Sequence, residues 1–173
     1  MQNNHLTPLL RKFSCLLALT IMLGACGFQM RGMADLAFKK LYMQGNTTAI
    51  TRDLRIALET NGVTLVENAE TAELLLEVVN EAYEKRILSL SGAGVVREFE
   101  LHYQINFRTR DPASPIWSPV QSVQSRRDFS YNDSALLGKA DEENMLNADM
   151  RKDAVRELIR RLTAIKPGTR LAQ

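Results

Sequence analysis

Phe99, Leu101, Tyr103, Ile105 and Phe107 alternate without a break with Glu98, Glu100, His102, Gln104, Asn106 and Arg108. A period of two sends successive side chains to opposite sides of an extended backbone, so this segment is a strand with one buried face and one wet face. It does not fit a helix, whose 3.6-residue turn would mix the same residues on every side. Such a strand needs a covering layer on one side only, and the rest of the chain must supply it.

A second β-rich run, Leu74 to Leu90, comes just before, and Ser91-Gly92-Ala93-Gly94 separates the two, which predicts a long hairpin. Asp111-Pro112-Ala113-Ser114-Pro115 is the next turn, because proline cannot continue a central strand. A further strand is expected from about Pro119 to Tyr131, with Val123, Phe129 and Tyr131 on one face and Gln124, Arg126 and Asp128 on the other. Upstream, Phe38 to Gln44 reads as a first strand ended by Gly45-Asn46. Thr47 or Thr48 can cap a helix whose apolar face is Ile50, Leu54, Ala57 and Leu58, stopped by Asn61-Gly62. Val63 to Val66 is at most a short extended piece. The last element is a helix with Asp141, Glu142 and Glu143 at its start and Arg156, Arg160 and Arg161 near its end, the charge order a helix dipole favours. Its apolar stripe is Leu146, Met150, Ala154, Leu158, Leu162 and Ile165. The expected fold class is α+β: a two-layer sandwich, two helices packed on one face of a four-stranded mixed sheet.

The N-terminus has the three parts of a bacterial export signal. Arg11 and Lys12 are positive, Phe13 to Leu23 is uncharged and mostly apolar, and Leu23-Gly24-Ala25-Cys26 follows. The apolar run is too short to span a bilayer, which takes roughly 20 residues. Leu, two small residues and Cys resemble the lipobox of bacterial lipoproteins, which implies that Cys26 becomes the first mature residue and carries acyl chains. Gly27, where an Asp would favour inner-membrane retention, points to the outer membrane. The expected organisation is a removed signal over 1–25, a lipidated tether over 26–37, a single domain over 38–166 and a tail over 167–173.

Removing the signal changes the electrostatics. Both basic residues lost, Arg11 and Lys12, come from a total of 22 against 20 acidic ones, none of which lies in the signal. The remainder is formally neutral and offers no argument for nucleic acid. Of two cysteines and two histidines, Cys26 and His102 remain, which make no internal disulfide and no unaided zinc site. No nucleophile–base pair stands out, so a binding or structural protein without a cofactor is expected rather than an enzyme.

Several residues are candidates for chemistry. Lys85, Arg86 and Arg97 flank the uncharged hairpin tip, and together would attract an anionic glycolipid, or are ordinary solvated charges. The Gly-containing tip is not a phosphate loop, because it precedes a strand and not a helix. Lys139, before the acidic start of the last helix, is either a contact to a phosphate or a solvated loop lysine. His102 reads as a surface residue and Asp141 to Glu143 as dipole partners. Trp117 is equally an interface anchor or a core residue.

Cys26-Gly27-Phe28-Gln29-Met30-Arg31-Gly32 resembles the mature start of the LPS-assembly lipoprotein family LptE. The Asn61-Gly62-Val63 step, the Glu98-Phe99 strand start and the Glu157-Leu158-Ile159-Arg160-Arg161-Leu162 segment look like that family too, so the resemblance spans roughly Cys26 to Ile165. It implies two helices on a four-stranded sheet and a non-enzymatic protein on the periplasmic side of the outer membrane. It also implies a plug for the lumen of the large β-barrel LptD, help in that barrel's assembly, and weak lipopolysaccharide binding. Lys139 matches a lysine often present in the family. Ser91 to Gly94 departs from members that carry a basic residue in that loop. The alternative is a periplasmic ligand-binding auxiliary lipoprotein of another envelope transport system. A plug requires a broad polar surface, whereas a carrier requires a deep apolar pocket.

Overall fold

The computed structural model describes residues 34–131 and 136–165. Cys26, the expected signal over 1–25 and the tail over 167–173 lie outside the described residues. The elements run β1 (Lys40–Gln44), α1 (Ala49–Thr60), β2 (Thr64–Val66), a 3-10 turn (Ala69–Thr71), β3 (Leu74–Leu90), β4 (Val96–Arg110), β5 (Gln121–Ser130) and α2 (Leu136–Thr163). They build one sheet in the order β2-β1-β3-β4-β5, in which β1 is parallel to β2 and β3 while β3, β4 and β5 are antiparallel. The expected α+β class holds, with two helices and a mixed sheet. The sheet has five strands instead of four. The extra one is β2, whose Thr64 to Val66 pair with Lys40 to Tyr42; three residues are too few to show an alternation.

α1 starts at the N-cap Thr48, where Thr51 Oγ1 accepts the Thr48 backbone N–H at 2.7 Å. It buries Ile50, Leu54 and Leu58, the face read from the sequence. It ends where Gly62 takes a φ of +78°, and the Gly62 and Val63 N–H groups donate to the Glu59 and Leu58 carbonyls at 3.0 Å each. This is the glycine-dependent closure that satisfies a helix's last carbonyls. α2 begins at Leu136, earlier than expected, so Asp141 to Glu143 are not its first turn and Lys139 lies inside the helix. Its stripe Met150, Ala154, Leu158 and Leu162 is buried as expected.

One hydrophobic core lies between the sheet and the helices. β4 contributes Leu101, Tyr103, Ile105 and Phe107, β5 contributes Val123 and Phe129, and the helical stripes close over them. Leu36 and Phe38, ahead of β1, are buried in the same core. Ala34 is held by Asn61, whose Oδ1 accepts its N–H at 2.6 Å.

β3 hides an irregularity. Its register against β4 shifts between Val78 and Asn80, so Val79 is a bulge. One extra residue reverses the alternation. Before it Leu74, Leu76 and Val78 face the helices; after it the register puts Glu81, Tyr83, Lys85 and Ile87 on that side.

Candidate functional site

The face of the sheet away from the helices carries a continuous polar ladder. The registers set Arg86, Glu100 and Asp128 side by side, then Glu84, His102 and Arg126, then Ala82, Gln104 and Gln124, then Asn80, Asn106 and Ser122. Neighbours on one strand face are close enough to bond, and these do. Arg86 donates to Glu84 at 2.6 Å, Gln124 to Gln104 at 3.3 Å, Gln104 to Asn106 at 3.1 Å and Arg108 to Glu77 at 2.5 Å. His102 Nε2 bonds the Glu100 carboxylate, and Arg126 lies 3.9 Å from the same group. The Arg86 guanidinium, by its hydrogen bond above all, holds the Glu84 carboxyl below its ordinary range. The result is a wide surface whose charges are largely matched among themselves.

Beyond this face the hairpin of β3 and β4 projects past β5, whose last pairing is Ser130 with Glu98. The tip is closed by the Ser91 N–H donating to the Val95 carbonyl at 2.7 Å, with Gly94 at a φ of +77°. Ile87, Leu88, Leu90 and Val95 around it are exposed.

The candidate basic residues do not converge. Lys85 faces α2: its Nζ donates to Glu143 Oε2 at 2.5 Å and lies 4.2 Å from the Phe99 ring centroid, with Phe129 and Tyr131 behind. Arg86 belongs to the polar face, paired with Glu84. Arg97 is exposed next to the tip, at an irregularity where the register passes from Glu98 to Val96. Lys139 donates to Glu142 Oε2 at 2.6 Å and to Ser130 Oγ at 3.2 Å. Glu142 and Glu143, read from the sequence as dipole partners, instead hold lysines.

Two features escaped the sequence. Glu143 also accepts the Tyr83 hydroxyl at 3.0 Å, so one helical acid ties down two residues of β3. Trp117 is half-buried against two guanidinium groups, with Arg108 Cζ at 4.7 Å and Arg110 Cζ at 5.3 Å from its ring. Trp117 thus belongs to the polar face and not to the core. Proline-rich spacing around it was the only signal.

Two hollows among the described residues are open to solvent. One of about 310 Å³ lies on the ladder among Glu84, Arg86, His102, Gln124 and Arg126. Another of the same volume lies between β5 and α2, among Gln124, Asp153, Glu157 and Arg161. Among the described residues no group of three or more His, Cys, Asp or Glu could hold a metal ion, and no helix is long and apolar enough to cross a membrane.

The chain thus has an α+β fold, with helices on one side of its sheet and a broad, self-paired polar surface on the other. The comparisons with known proteins name the family. The LptE family model, described as lipopolysaccharide-assembly, matches residues 38–162, and the chain belongs to that family. The LPS-assembly lipoprotein LptE of Photorhabdus laumondii is 28% identical over 162 residues, covering 90% of this chain and 87% of the relative. That of Yersinia pestis is 27% identical over 161 residues, covering 90% and 77%. Among solved structures, uncharacterized lipoprotein B of Nitrosomonas europaea is 37% identical with a TM-score of 0.70, covering 80% of this chain and 91% of that one. Rare lipoprotein B of Shewanella oneidensis is 25% identical with a TM-score of 0.65, covering 72% and 94%.

Proposed function

We propose that this chain is an outer-membrane lipoprotein, anchored through Cys26 on the periplasmic face, that plugs and helps assemble the LptD β-barrel and aids insertion of lipopolysaccharide into the outer leaflet. The polar ladder across β3, β4 and β5 carries the reading. The lumen of a large barrel is polar and wet, and a partner surface there needs many matched hydrogen-bonding groups and no apolar cavity. The two open hollows on the described surface suit a plug better than a ligand carrier, which needs an enclosed apolar site. The module performs no chemistry of its own in this reading.

Weak lipopolysaccharide binding falls to the basic residues near the projecting hairpin. Arg97, exposed beside the tip, and Arg86, on the polar face, offer charge to a lipid phosphate. Lys85 and Lys139 would have to leave Glu143 and Glu142 to do the same.

The test is to extract the tagged, lipidated protein from its own outer membrane in mild detergent. A near-stoichiometric, heat-modifiable β-barrel should co-purify. Recovery of the protein alone, or with an inner-membrane transporter, would overturn the plug reading in favour of an auxiliary ligand carrier.

A further inference from the structure

β5 is the outermost strand of the sheet, and among the described residues nothing pairs with its far side. Its pairing with β4 runs from Gln121 to Ser130 with no register shift, against three shifts between β3 and β4. The Tyr131 N–H donates to the Arg97 carbonyl, which fixes the phase of the ladder. In an antiparallel pair every second residue turns both backbone groups toward its partner. Val123, Ser125, Arg127 and Phe129 therefore bond to β4, while Ser122, Gln124, Arg126, Asp128 and Ser130 turn N–H and C=O outward. Ten residues give this edge a length of about 33 Å. It holds no proline and no bulge, two devices that close an edge; its charges are Arg126, Arg127 and Asp128. One outward carbonyl, that of Arg126, accepts Arg127 Nη1 at 2.8 Å.

Beside the edge, on the helix side, the small Ser125 borders the hollow of about 310 Å³ closed by Val123, Asp153, Ala154, Glu157 and Arg161. A residue opposite Ser125 on an added strand stands in a non-hydrogen-bonded pair, with Cα atoms about 4.5 Å apart, and directs its side chain into that hollow. The charge there is unbalanced. Asp153 is bonded by Arg127 and Arg156, and Glu157 by Arg160 and Arg161, so each carboxylate meets two guanidiniums. A guanidinium carries more N–H donors than one carboxylate uses, so Arg127 and Arg161 keep donors for a further acid.

We propose that β5 is a strand-addition site: an extended, acid-bearing segment of the barrel partner pairs with Ser122 to Ser130 and sets a carboxylate side chain opposite Ser125. Main-chain bonds along the edge supply affinity, and the hollow supplies the choice of side chain. The incoming N–H replaces Arg127 Nη1 on the Arg126 carbonyl, which frees that nitrogen for the carboxylate. The strand adds in the plane of the sheet, so the polar ladder keeps its own contact with the lumen wall. A plug is enclosed by one barrel, so the chain beside the edge is the barrel's and not a second copy of this one. The inference rests on the plug reading.

Hydrogen exchange resolved to single amides tests it on the full lipidated protein, alone in detergent and in the co-purified barrel complex. In the free protein the Gln124, Arg126 and Asp128 amides should exchange about ten-fold faster than those of Ser125 and Arg127, and in the complex they should slow by about ten-fold. Asp128→Pro removes an outward N–H and leaves the β4 ladder intact. It should lower recovery of the barrel by about five-fold relative to Asp128→Ala, which keeps that donor. Ser122→Pro against Ser122→Ala gives the same comparison where Asp128→Pro fails to fold. A photo-crosslinking residue at Ser125 should mark one barrel segment that contains Asp or Glu. A barrel complex in which the three outward amides exchange as in the free protein would overturn strand addition and leave the plug reading standing. Adducts to a barrel segment without an acid would overturn the carboxylate assignment. Outward amides already slow in the free protein, and slower at higher concentration, would assign the edge to a second copy and overturn the proposal. Absence of a co-purifying barrel would overturn the plug reading, and the proposal with it.

Discussion

Lys85 and Glu143 are 58 residues apart in sequence and 2.5 Å apart in space, joining the middle of the long hairpin to α2. The ammonium also faces the Phe99 ring at 4.2 Å. With side chains 30% and 23% exposed, the pair is partly screened, so its contribution is modest. Lys85→Met and Glu143→Gln should each lower unfolding stability by about 1 kcal/mol. A double-mutant cycle by urea denaturation should return a favourable coupling, since the residues share one contact. A coupling of zero would free Lys85 for a ligand role.

Phe107 is fully buried between the sheet and the helices. Phe107→Ala should cost about 3–5 kcal/mol by the same measurement, the range for an aromatic removed from a packed core.

Gly62→Ala should cost about 1 kcal/mol, because φ of +78° strains any side chain although nothing lies within 4 Å of a new Cβ. The thermal midpoint should fall by a few degrees, and Gly92→Ala, in open space, should leave it unchanged.

Tyr103 is buried and donates to Glu81 at 2.7 Å; burial first, then that carboxylate, push its hydroxyl pKa well above the ordinary value. Below about pH 10 the hydroxyl is protonated in folded and unfolded chains alike, so it adds no pH dependence. Above it the unfolded chain ionises first and binds fewer protons, so stability must fall as pH rises. Tyr103→Phe should flatten that alkaline slope in denaturation curves taken across the tyrosine range. An unchanged slope would assign it to other groups, Tyr83 among them, whose pKa is also raised, chiefly by burial.

These relationships differ in how far they could be read from residues alone. The alternation in β4, the stripe of α2 and the Asn61-Gly62 stop were legible, because each is a local periodicity or a local backbone requirement. β2 was too short to carry a period. The bulge at Val79 inverts the parity of β3, so the same run that announced a strand concealed which residues face the helices. That is why Lys85 read as a tip charge and not as the partner of Glu143. The early start of α2 was missed because its first turns show no apolar stripe: Leu137 is 87% exposed. The polar face was visible as a stripe on each strand, but the pairing of its charges depends on register, which no single strand reveals.

The central claim is that the polar face meets the wall of a barrel. A photo-crosslinking residue placed at Gln104 or Gln124, in the lipidated protein in its own outer membrane, tests it most directly. The account predicts adducts to one large, heat-modifiable β-barrel from both positions. Adducts absent from both, or formed only with a soluble or inner-membrane protein, would contradict it.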